Sequence, residues 1–96
     1  YRTDQPCNDG TKSPCDATFD PAATLMGPEQ ERWLHQGLAR SQSRWNLIPQ
    51  QIMVARMNQS TTDEARYSMD QWPGYEAERR RLLERFAARP AANHVV

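Results

Sequence analysis

The chain has 96 residues, 38% of them hydrophobic and 25% charged, and its formal net charge is zero; its mean hydropathy is −0.93. A chain of this length makes one small domain at most and buries roughly two-thirds of the surface its unfolded form exposes. The even charge balance argues against a nucleic-acid reader, which carries a basic excess, and no apolar run approaches the roughly 18–20 residues of a membrane span.

Residues 1–27 hold Pro6, Gly10, Pro14 and Pro21 among Asp4, Asn8, Asp9, Asp16 and Asp20, without hydrophobic period, and read as an extended Pro/Asp-rich loop. Cys7 and Cys15 flank a short polar stretch of it. They either close a small surface loop as a disulfide, which implies an oxidising compartment, or stand as two free thiols. Gly27-Pro28 opens a helix over 28–41, since Pro suits the first helical position and Glu29 and Glu31 complement the positive end of the dipole. Trp33, Leu34, Gly37 and Leu38 are expected on its inner face, with Glu31, Arg32, His35, Gln36 and Arg40 towards water.

Two short apolar runs on either side of Pro49 are too brief for helices and read as one strand over 45–55 that bends at the proline. Trp33, Leu38, Trp45 and Leu47 then pack helix against sheet. The stretch 56–73 is polar and aperiodic, hence a second loop. A second helix over 74–89 carries Tyr75, Arg79, Leu82, Leu83, Phe86 and Ala87 as its stripe and stops before Pro90. Its run Arg79-Arg80-Arg81 is flanked by Glu76, Glu78 and Glu84, so it reads as a charged face and not a phosphate patch. Residues 93–96 start another strand, with His94 solvated at its entrance. Loop, helix, strand, loop, helix, strand is the alternation of an α/β fold, with a sheet covered by helices and successive strands parallel. The chain starts at Tyr1 and breaks off in a β-branched run, and is read as part of a longer protein.

Polar side chains where a central strand ends are where α/β proteins place chemistry, which draws attention to Gln50 and Gln51. These amides either face a pocket or bond to a neighbouring loop. Asp70 reaches a pocket or caps the turn after it; Tyr75 is a core residue or a site residue; Arg2 contacts phosphate or is solvated.

Taken together, the segments TLMGPEQERWL, SRWNLIPQQIMVA, YSMDQWPGYEAERRRLL and the opening YRTDQPCNDG resemble the catalytic domain of the PhoD-like alkaline phosphatases, a branch of the calcineurin-like metallophosphatases. The resemblance covers nearly the whole chain. It implies that 28–96 are part of a metallophosphatase-type β-sandwich flanked by helices, in an exported, extracellular or periplasmic, enzyme that hydrolyses phosphate mono- and diesters with iron and calcium. Two metals would neutralise phosphoryl charge and lower the pKa of a bound water. Related enzymes place a pair of metal-binding histidines where this chain has Gln50-Gln51, and PhoD-like proteins commonly carry glutamine there; an amide oxygen suits calcium better than a transition metal. Where the family has Trp-Asp-Gly-Tyr, this chain reads Trp72-Pro73-Gly74-Tyr75. The family's Asp-Asp-His and Gly-Asp-x-His segments are not among these residues, so the main metal ligands are expected outside them, in the remainder of the catalytic domain, and the piece alone is expected to be inactive. Two other readings stay open: a binding or adaptor module derived from the same fold, and a small α/β domain with a disulfide-bounded loop.

Overall fold

Pro28 can begin a helix because its fixed φ suits the first helical position, where the backbone N–H has no partner in any case. Gly27 before it adopts φ 87°, a conformation that favours glycine. The computed structural model, which describes residues 1–88 and 93–96, runs this helix, α1, over Pro28–Arg40, with Glu29 and Glu31 in the first turn and Arg40 in the last. A second helix, α2, covers Glu76–Ala87 and follows a 3-10 turn at Trp72–Gly74. Gly74 has to be glycine there, since a Cβ would overlap the Met69 carbonyl. The expected end of α2 at residue 89 and its stop at Pro90 lie outside the described residues.

Four short strands complete the described fold: β1, Thr11–Lys12; β2, Trp45–Leu47; β3, Tyr67–Ser68; and β4, Asn93–Val95. β1 pairs antiparallel with β3, Thr11 opposite Ser68. β2 pairs parallel with β4, Trp45 opposite Asn93 and Leu47 opposite Val95, with α2 in the crossover between them. The fold is thus an α/β mix in which consecutive strands of one sheet run parallel across a helix, the connection a parallel pair requires.

The long strand expected over 45–55 ends early. β2 stops at Leu47, and the last ladder bond is Ile48 N–H to the Val95 carbonyl at 2.8 Å. Pro49 has no N–H to continue it, and residues 49–55 leave the sheet as an irregular segment held by Arg79, whose Nε donates to the Val54 carbonyl at 2.6 Å. The two stretches read as loops are also more ordered than expected. The first contains β1 and 3-10 turns at Pro6–Asn8 and Asp16–Phe19, the second β3. Two-residue strands leave no period in a sequence, because each is specified by a partner far along the chain.

Met69, Trp72, Tyr75 and Leu82 have essentially no exposed surface, and Leu38 joins them at 6%. Around them α2 packs on α1, on the Asp16–Phe19 turn and on the Trp72–Gly74 turn. The helix faces differ from expectation. Trp33 is 72% exposed, Trp45 58% and Leu47 71%, so of the four residues expected to pack helix on sheet only Leu38 is buried. The inner side of α1 passes through Glu31, Leu34, His35 and Leu38, which keeps the expected Leu34 and Leu38 and brings in Glu31 and His35 where Trp33 and Gly37 were expected. On that side Arg81 forks the Glu31 carboxylate through Nε at 2.6 Å and Nη2 at 3.1 Å. His35 is accordingly half-buried, and its Nε2 has no partner among the described residues. His94 is half-buried too, stacked on Phe86 with ring centroids 5.0 Å apart. On α2, Leu83 and Ala87 face outward and Glu78 faces in. No described helix is long and apolar enough to cross a membrane.

Candidate functional site

Ending β2 at Leu47 turns Ile48–Ile52 outward over the start of α1, and a cavity of about 590 Å³ forms there. Gln50, Gln51, Arg2, Asp70 and Trp72 lie on its wall, with Trp33 and Leu34 of α1 opposite. Gln50 and Gln51 also border a second hollow of about 380 Å³ shared with Val96. Four of the five residues singled out from the sequence as pocket candidates therefore stand around one cavity. The fifth, Tyr75, does not line it: the residue is fully buried and its Oη donates to the Thr3 carbonyl at 2.8 Å.

Three of the four are held by specific contacts. Gln50 Oε1 accepts from Trp72 Nε1 at 3.0 Å, which fixes the amide against the wall, while Gln51 is exposed beside it. Asp70 does not cap the turn that follows it. Its Oδ1 accepts from Gln5 Nε2 at 3.0 Å and from Arg2 Nη1 at 2.9 Å. The hydrogen bond from Gln5, with that from Arg2, holds the Asp70 carboxyl below its ordinary range. Arg2 keeps about a third of its side chain exposed, so its planar fork has donors left for an anion entering the cavity.

The three consecutive arginines of α2, Arg79 to Arg81, are each engaged elsewhere. Arg79 pairs with Glu76 at 3.4 Å besides anchoring Val54, Arg80 pairs with Glu76 at 3.1 Å, and Arg81 holds Glu31. Arg81 is thus an interhelical anchor, Arg79 a loop anchor and Arg80 a partner within its own helix.

Sequence reasoning missed Glu78. Its carboxylate is fully buried and gathers three donors from the segment before α1: Thr24 Oγ1 at 2.9 Å, Leu25 N–H at 2.5 Å and Met26 N–H at 3.3 Å. Burial pushes its pKa up, and these hydrogen bonds pull the other way. The signal was present, since positions 75, 78 and 82 share one face of a helix and the outer two are apolar. Cys7 and Cys15 are bridged, with Cα atoms 5.8 Å apart. The bridge ties the Pro6–Asn8 turn to the Asp16–Phe19 turn, and Cys7 Sγ also contacts Thr18 Oγ1 at 3.4 Å.

Among the described residues no three His, Cys, Asp or Glu side chains converge as a metal site. At the cavity Gln50 Oε1 accepts from Trp72 and Asp70 Oδ1 from Gln5 and Arg2, so these residues alone do not make up the roughly six to eight oxygen ligands that calcium takes or the imidazole set that suits iron.

The family model of the PhoD-like phosphatases matches residues 1–96. The chain belongs to the PhoD-like phosphatase family. It is 44% identical over all its 96 residues to alkaline phosphatase D of Bacillus subtilis (strain 168), and spans 16% of that protein's length. The solved structure of PhoD matches the PhoD-like fold with a TM-score of 0.90 and 44% identity, over the whole of this chain and 18% of that one. The PhoD-like segment is therefore about one-sixth of the length of the relatives it matches.

Proposed function

We propose that these residues build one wall of the active centre of an exported, metal-dependent phosphoesterase acting on phosphate mono- and diesters. The single observation that carries the reading is the cavity of the PhoD-like segment, where Arg2, Asp70, Gln50 and Gln51 meet at the point where β2 ends. In this reading the described strands belong to a larger β-sandwich, and iron and calcium are held by side chains outside these 96 residues. Arg2 offers charge-assisted hydrogen bonds to the phosphoryl oxygens, Asp70 aims the guanidinium, and the two amides orient the ester. The Cys7–Cys15 bridge accords with export, because disulfides persist in oxidising compartments.

The test compares the full-length protein with the 96-residue piece on a chromogenic phosphomonoester, with calcium and iron supplied. The full-length protein is expected to turn over and the piece to stay at the metal-only blank. Turnover by the piece alone would overturn the reading, since it would place the whole catalytic set inside residues 1–96.

A further inference from the structure

Glu78 is a buried carboxylate that the cavity does not use. Burying a carboxylate is costly unless it is hydrogen-bonded, and Glu78 meets that condition only by accepting from Thr24 Oγ1, Leu25 N–H and Met26 N–H. All three donors lie outside its own helix, so the group serves the segment before α1 and not α2. Thr24 passes the restraint on. Its backbone pairs with Thr3 in both directions, Thr3 N–H to the Thr24 carbonyl at 2.9 Å and Thr24 N–H to Thr3 Oγ1 at 3.1 Å. Thr3 is fixed a second time by Tyr75, whose Oη donates to the Thr3 carbonyl at 2.8 Å.

We propose that Glu78, with Tyr75, is a positioning residue that acts through Thr24 and Thr3 to set the backbone from which Arg2 reaches the cavity. This rests on the reading of Arg2 as the phosphate contact. Arg2 is next to Thr3 in the chain, and its guanidinium is held at the far end by Asp70 at 2.9 Å. Both ends of the side chain are therefore fixed, one by the buried pair of Tyr75 and Glu78 and the other at the cavity mouth. A flexible arginine loses part of its binding energy to side-chain ordering when it closes on an anion; one already held loses less. Tyr75 and Glu78 touch neither cavity.

The experiment is a double-mutant cycle in the full-length protein, with Arg2→Gln, Glu78→Gln and the double variant. KM and kcat are read on a chromogenic phosphomonoester, Ki on inorganic phosphate, and folding by Tm. Arg2→Gln is expected to raise KM and Ki about tenfold, the size of one charge-assisted hydrogen bond. Glu78→Gln turns an amide N–H₂ toward donors that need an acceptor. It is expected to raise KM and Ki about threefold to tenfold with kcat within about twofold, and to add nothing in the Arg2→Gln background. Multiplying effects in the double variant, or a fall in kcat with KM and Ki unmoved, would overturn the positioning role and leave Arg2 as the contact. An Arg2→Gln protein with unchanged KM and Ki would remove the phosphate reading and this proposal with it. Should Glu78→Gln fail to fold, Tyr75→Phe, which deletes only the bond to Thr3, carries the same cycle with the same two outcomes.

Discussion

Around the start of α2, Met69, Trp72, Tyr75 and Leu82 are sealed from solvent and the buried polar groups of Thr24 and Glu78 bond to each other, whereas on the side of α1 and β2 three large apolar residues keep more than half their surface in water. Both regions come from the same modest stock of hydrophobic residues. The first is closed by contacts internal to the chain: the 3-10 turn at Trp72–Gly74, the Asp16–Phe19 turn and the bridged loop beside it. The second presents Trp33, Trp45 and Leu47 outward from elements that are otherwise well formed. Polarity of sequence does not separate them. What separates them is whether a neighbour that covers the apolar surface lies among the described residues.

Trp72→Ala is the sharpest way to break this contrast. It empties the closed region and also frees Gln50, so it is expected to cost the full-length protein about 4–5 kcal/mol in urea unfolding. A cost under about 1 kcal/mol would put the packed centre elsewhere. Trp33→Ser asks whether the open face is covered in the whole protein. With the proposed remainder of the domain lying over it, the expected cost is about 2 kcal/mol; a change below about 0.5 kcal/mol would make the face an outer surface.

The smallest effect belongs to His35, at the seam between the regions. Burial, aided by Arg85 and Arg81 and opposed by Glu31, lowers its pKa from 6.5. The unfolded chain therefore takes up a proton that the folded chain resists, and stability present above about pH 6.5 is lost as the pH falls through that value. His35→Gln is expected to reduce the drop in Tm between about pH 7.5 and about pH 5.5 by about 1–2 °C. An unchanged drop would show that the imidazole is solvated in both states.

The sequence makes some of these features plain and hides others for definable reasons. Helices α1 and α2 are legible because Pro28, the acidic first turns and a repeating apolar stripe are local signals, and the parallel pairing of β2 with β4 follows from the alternation of elements. β1 and β3 are not legible, since two residues cannot express a period and their pairing is made across the chain. The facing of α1 differs from the expectation because the residue type of Trp33 says that it can be buried but not by what, while the contact that turns Glu31 inward, its ion pair with Arg81, is made across the chain. At the cavity, Gln50, Gln51, Arg2 and Asp70 could be nominated by residue type and by the resemblance, yet the contact of Arg2 with Asp70 needs the fold. Glu78 was overlooked because a carboxylate among arginines looks like one more surface charge.

The pairing of β2 with β4 also sets a timetable for biosynthesis. Asn93 reaches back to Arg44 across 49 residues, so as the polypeptide leaves the ribosome β2 emerges long before the strand that will lie beside it. At roughly 5–20 residues per second that interval is roughly 2–10 s, far longer than a helix needs to form. During those seconds the backbone of β2 has no strand beside it, an open edge that any other extended segment could pair with.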